Sequence, residues 1–203
     1  MSATKEHIAN YLERRAAGDP PPLALYRARC ESAARQNLTE VYSYGSGQYL
    51  LEGIEGVPDG YRLTLTVHDD TDSRPDDVEC FDPADIEAWR EDRWRYVGIE
   101  VAVVDDDGTD LASYAVWGFE LGDYWPMSTE AQIWAHATDG GVVDEALHLA
   151  TERLERRATK AVAEQAARCA AVEAEIVRRA RINTLLATIP PHVATELRSL
   201  IGA

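Results

Sequence analysis

Apolar and polar residues alternate most cleanly in Tyr61–Val67, YRLTLTV, where Tyr61, Leu63, Leu65 and Val67 face one way and Arg62, Thr64 and Thr66 the other. That period of two, in β-branched and aromatic residues, predicts a strand. Val97, Ile99, Val101 and Val103 repeat the pattern, with Tyr96, Gly98, Glu100 and Ala102 on the opposite face. The run reaches Asp105-Asp106-Asp107-Gly108 and returns through Leu111–Gly118, which predicts a hairpin. Two registers are open. A two-residue turn at Asp107-Gly108 pairs Gly98 with Trp117 and Ile99 with Val116, the arrangement favoured here. A three-residue loop pairs Val97 with Trp117 and Ile99 with Ala115, and this one-residue slip turns Trp117 to the other face.

Helical periods occupy the ends of the chain. Residues 4–17 form a short helix with Thr4 as N-cap. Gly18-Asp19-Pro20-Pro21-Pro22 stops it, and a second helix covers Leu23–Gln36, with Leu23, Tyr26 and Cys30 at helical spacing. Val41, Tyr42, Tyr44 and Tyr49 around Gly45-Ser46-Gly47 read as a hairpin rather than a phosphate loop, because no GxxxxGK[ST] or GxGxxG follows. Asp82-Pro83 starts a helix over 83–91, with Asp at the N-cap and Pro at N1, and with Ile86 and Trp89 on its inner side. Ser128 caps another over 129–138. From Val142 to about Thr188 there is neither Gly nor Pro. Val143, Leu147, Ala150, Leu154, Ala158, Val162, Cys169, Val172, Ile176 and Ala180 recur there at helical steps. Such a helix, at ~1.5 Å rise, would span about 70 Å, so its far half must bend, protrude or pair with another helix. Pro190-Pro191 ends it, and Val193, Leu197, Leu200 and Ile201 of a last helix can fold back.

The pattern predicts an α+β fold: a small antiparallel sheet with a β-hairpin packed by short helices, then a long C-terminal helix and a short fold-back helix. The segments are 1–40 (helical), 41–141 (the α+β module) and 142–203 (a helical hairpin for self-association). Leu154, Val162, Cys169, Val172 and Ile176 are its self-association positions. The product expected is a homo-oligomer with coiled-coil character.

Charge sharpens this picture. The net charge of −16 is unevenly placed. Residues 1–40 carry 6 basic and 5 acidic side chains, residues 41–150 carry 5 and 25, and residues 151–203 carry 9 and 6. The centre is therefore at −20 while both ends are slightly positive. Such a centre repels phosphate backbones, which excludes direct nucleic-acid binding by the acidic module. No run has the ~18 apolar residues of a membrane span, and MSATKEHIAN lacks the features of a signal peptide, so a cytosolic chain with no membrane partner is expected. Cys30, Cys80 and Cys169 form no CxxC and are read as reduced thiols.

The stretch YRLTLTVHDD…DDVECFDPADIEAWREDRWRYVGIEVAVVDDDG…LASYAVWGFE resembles a group of small acidic proteins of actinobacterial phages and mobile elements. Their pattern is an acidic loop, an aromatic residue at a helix start (Phe81), A-W-x4-W-x-[FY]-V-G and a hairpin ending in W-G. Ala88, Trp89, Trp94, Tyr96, Val97, Gly98, Trp117 and Gly118 stand at those positions. The resemblance covers residues 61–155. It implies a phage or mobile-element origin and carries over no catalytic residue or cofactor.

Candidate chemistry is sparse. The loop with His68, Asp69, Asp70, Asp72, Asp76, Asp77, Glu79 and Cys80 could offer hard oxygen ligands, and His68 and Cys80 are its only transition-metal donors. Its irregular spacing fits a solvated loop better. No nucleophile motif accompanies any of the five histidines. In the aromatic set around Trp89–Trp125, Tyr124 and Trp125 beside Pro126 are expected to be the exposed members, and with Asp69, Asp70, Asp72, Asp76 and Asp77 they are the candidate partner-binding residues. The function expected is that of a non-enzymatic phage-type binding or regulatory protein acting on a host or phage protein by protein–protein contact, with no cofactor. The alternatives are an acidic DNA mimic that inhibits a host nucleic-acid-binding or defence protein and, third, a metal-dependent hydrolase using the His68–Cys80 loop.

Overall fold

The computed structural model describes residues 21–41, 47–75 and 81–201. The expected helix over 4–17, most of the Gly45-Ser46-Gly47 turn, Asp76, Asp77, Glu79 and Cys80, and the side chains of Leu200 and Ile201 lie outside the described residues. The chain divides into two compact units, residues 1–153 and 154–203. That boundary falls inside the long helix, whereas the sequence pattern puts it at 141/142. Residues 21–40 belong to the first unit.

In the first unit, helix α1 (Pro21–Asn37) leads into β1 (Leu38–Val41), β2 (Gly47–Leu51) and β3 (Tyr61–Asp69). Helix α2 (Pro83–Arg90), β4 (Trp94–Asp105), β5 (Asp110–Gly122), α3 (Thr129–Asp139) and the start of α4 (Val142–Leu186) follow. The five strands form one antiparallel sheet in the order β1-β2-β3-β4-β5. The structure is α+β, as the pattern predicts. In the second unit, α4 continues to Leu186 and is followed by α5 (Pro191–Ile201).

One sheet face makes the core. Leu63, Leu65 and Val67 of β3 and Val97, Ile99, Val101 and Val103 of β4 are buried, each burial favouring the fold by about 1.5–3 kcal/mol. Ile133 and Ala137 of α3 and Val142, Val143, Ala146 and Ala150 of α4 are buried as well. The opposite face carries Thr64, Thr66, His68, Glu100, Ala102, Ala115 and Trp117, all half-buried or exposed. This is the alternation seen in the sequence, with one dry face and one wet face, except at the start of β4, where Trp94 and Tyr96 on the latter face are buried with Ala88 of α2.

The caps form as their residues dictate. Asp82 accepts from the backbone of Ala84 and Asp85, and Asp85 reaches back to the Asp82 N–H, a reciprocal capping box with Pro83 in the first turn. Ser128 accepts from Ala131 N at the start of α3. Helix α1 departs from its pattern. Leu23, Leu25 and Tyr26 are exposed, while Ala24, Ala28, Cys30 and Ala34 are buried. Cys30 and Ala34 pack on Ala131 and Ala135 of α3, because small side chains allow two helices to approach closely. A pattern weighted by large apolar residues picks the wrong face.

The hairpin combines both expected registers. Asp105 N–H donates to the Thr109 carbonyl, leaving a three-residue loop in which Gly108 takes φ +79, a conformation glycine adopts without steric cost. Val104 pairs with Asp110 and Val103 with Ala112, so Leu111 is an extra residue, a β-bulge. Beyond it Ile99 faces Val116, the register of a two-residue turn. A second irregularity lets Val97 pair with Phe119, and Gly118 there has φ +82.

Candidate functional site

The aromatic set divides in two. Trp94 and Tyr96 of β4 and Ala88 of α2 are buried, with Phe81, Trp89 and Tyr124 packed on them. The Trp94 indole N–H donates to the Asp85 carbonyl at 2.9 Å, and the Tyr124 hydroxyl donates to the Asp85 carboxylate at 2.9 Å. The latter bond opposes loss of the phenol proton and pushes the Tyr124 pKa up. The Arg93 guanidinium lies over the Tyr124 ring at 5.1 Å. Trp125 touches Trp94 and Tyr124, and its Nε1 is buried without a hydrogen-bond partner. Tyr124 and Trp125 are thus half-buried supports of the aromatic core. The expectation that they are the exposed members is corrected. The exposed indole is Trp117, at 54%.

Trp117 belongs to the wet face of the sheet. Its ring lies 5.7 Å from that of His68, and His68 Nε2 is 3.0 Å from a Glu100 carboxylate oxygen. These residues come from β5, β3 and β4, and only strand pairing joins them. The carboxylate orients the imidazole, but among the described residues no hydroxyl or thiol is hydrogen-bonded to either, so the pair does not form a covalent-nucleophile arrangement there.

Among the described residues of the acidic loop, Asp69 and Asp70 have partners. Asp69 pairs with Arg95 at 3.2 Å. Asp70 accepts from the Asp72 and Ser73 N–H groups and from the Ser73 hydroxyl at 2.8 Å, which lowers its pKa. Asp72 is exposed. In the hairpin turn, Asp105 accepts from Asp107 N and Thr109 N. Among the described residues no group of three His, Cys, Asp or Glu is placed to hold a metal ion.

A cleft of about 560 Å³ opens between α1, the end of β5 and α3, lined by Leu23, Tyr26, Phe119, Trp125, Met127 and His136 among others. Its size is that of small-molecule sites. His136 Nε2 lies 3.0 Å from the Glu120 carbonyl, and since a carbonyl only accepts, the ring carries its proton there. Burial holds the His136 pKa below its ordinary value. Burial, with the nearby Asp85 charge, raises that of Glu120. Tyr26 and Cys30 are both pushed up, chiefly by burial, so the Cys30 thiol is poorly suited to act as a nucleophile. Nothing in the sequence signals that these residues meet, because Phe119 and His136 are separated from Tyr26 by some ninety residues or more.

In the second unit the sequence-predicted stripe is laid bare. Leu154 is half-buried, and every residue from Glu155 to Arg181 is exposed. Val162, Val172 and Ile176 are 70%, 60% and 61% exposed. Cys169 is an exposed free thiol. Leu186 of α4 and Ala194 of α5 are buried; Leu197 is exposed. No described helix is long and apolar enough to cross a membrane.

No family model, curated protein or solved structure matches the chain. The functional reading therefore rests on these surfaces.

Proposed function

We propose that this is a non-enzymatic binding protein that acts by protein–protein contact and self-associates through α4. The observation that carries the reading is the bare stripe: three large aliphatic side chains, Val162, Val172 and Ile176, more than half exposed on one helix. Single exposed apolar residues are ordinary, but a contiguous helical stripe is the kind of surface that a partner covers. Cys169 lies in the same stripe. The resemblance to phage and mobile-element proteins supports a regulatory role in that setting, on a host or phage partner.

Light scattering on the full chain tests the proposal. The wild type should have the mass of an oligomer, and the double variant Val172→Glu, Ile176→Glu should have the mass of one chain with unchanged helical circular dichroism. A wild-type chain that is monomeric at tens of micromolar, or an oligomer indifferent to both glutamates, would overturn it.

A further inference from the structure

We infer that the partner of the α4 stripe is a second copy of this chain, laid parallel and in register along residues 158–183; this rests on the self-association proposed above. Ala158, Val162, Gln165, Cys169, Val172, Ile176, Arg179 and Asn183 follow one another at alternating steps of four and three residues. All are exposed. Such a spacing keeps one seam facing a partner helix along its whole length, with Val162, Cys169, Ile176 and Asn183 in one set of layers and Ala158, Gln165, Val172 and Arg179 in the other.

Two features favour an identical helix. Arg168 and Glu173 flank the seam on its two sides, so in a parallel pair each Arg168 meets the Glu173 of the other copy. The polar layers then decide the direction. In a parallel pair Gln165 meets Gln165 and Asn183 meets Asn183, and each amide can both donate to and accept from its twin. Cys169, Val172 and Ile176 form three successive apolar layers between them. In an antiparallel pair centred on Cys169 and Val172, Gln165 would face Ile176, Asn183 would face Ala158 and Arg179 would face Val162. Each polar group would then be buried against carbon, which costs free energy unless water reaches it. A single asparagine in such a seam commonly specifies register at some cost in stability. The adverse layer in the parallel pair is Arg179 against Arg179. Its guanidinium is already paired with Glu175 at 2.9 Å within its own helix, which offsets part of the repulsion.

Crosslinking of the full chain decides between these arrangements. In a Cys169→Ser background, Ala158→Cys places a thiol near the start of the seam. In the parallel pair the two thiols face each other. In the antiparallel pair residue 158 lies opposite residue 183, so the thiols are about 38 Å apart at ~1.5 Å per residue. A short bis-maleimide should shift most of the Ala158→Cys, Cys169→Ser chain to doubled mass on a denaturing gel, while Cys169→Ser alone stays single. A two-chain mass by light scattering with no crosslink through position 158 would overturn the parallel register and leave self-association standing. A one-chain mass would overturn both.

Discussion

The Trp117 indole lies against Gly98. A Cβ built on Gly98 would come within 2.4 Å of Trp117 Cε3 and 2.7 Å of Cδ2, so the ring occupies the space a side chain would take. Glycine is needed there because the neighbouring strand brings a large ring onto the backbone. Gly98→Ala should displace the indole from His68, at a cost of about 1–2 kcal/mol, typical of overpacking. Because Trp117 lies on an edge strand and is largely exposed, the cost should disappear in a Trp117→Ala background. A double-mutant cycle by urea denaturation checks this; equal costs in both backgrounds would place the strain elsewhere.

Glu31 ties α1 to α3. Its carboxylate accepts from the Ser128 N–H at 2.8 Å and from the Ser128 hydroxyl at 2.9 Å, across 97 residues of chain. The side chain is buried, so removing it strands a donor at the start of α3. Glu31→Ala should destabilise the first unit by about 2 kcal/mol, the range for hydrogen bonds to a charged group. Glu31→Gln, which keeps an acceptor, should cost less. If the two variants unfold at the same urea concentration, the charge and not the geometry carries the contact.

Gln132 binds three backbone groups at once. Its side chain accepts from Gly122 N and donates to the carbonyls of Gly122 and Met127. Gln132→Met preserves the volume and leaves all three unpaired in a buried place, so a loss of about 2–3 kcal/mol is expected. Amide exchange at Gly122 should accelerate in the variant. Unchanged exchange would mean that water replaces the amide.

Two half-buried groups, His136 and Glu120, give the first unit an opposed pH dependence. His136 is held below its ordinary value of about 6.5, so the unfolded chain takes up that proton first. Its contribution is complete above the ordinary value and is lost as pH falls through the folded one. Glu120 is raised instead. Its contribution is complete below the ordinary carboxylate value of about 4.3 and is lost as pH rises through the folded one. His136→Gln should therefore flatten the decline of the urea midpoint between about pH 7 and pH 5. Glu120→Gln should raise the midpoint at neutral pH. A His136→Gln chain with the wild-type slope would assign that decline to another group.

How much of this was legible beforehand depends on the range of each signal. The faces of β3 and β4, the capped starts of α2 and α3, the extent of α4 and the turn at Asp105–Gly108 are set by residues within a turn or a pleat of one another. A period of two or a capping aspartate identifies them without knowledge of the neighbours. The helical stripe of α4 was visible for the same reason, though not its exposure.

Contacts across the chain decided the rest. Neither hairpin register alone describes β4 and β5, because the loop sets one pairing and the Leu111 bulge shifts the strand into the other, which brings Trp117 over Gly98. Helix α1 buries its alanines because α3 offers Ala131 and Ala135 at close range, a condition absent from the α1 sequence. Trp125 is half-buried and Trp117 exposed for the same reason. Composition marks both as large aromatic residues, and only the packing of α2 on β4 and the edge position of β5 assign one to the core and the other to the surface.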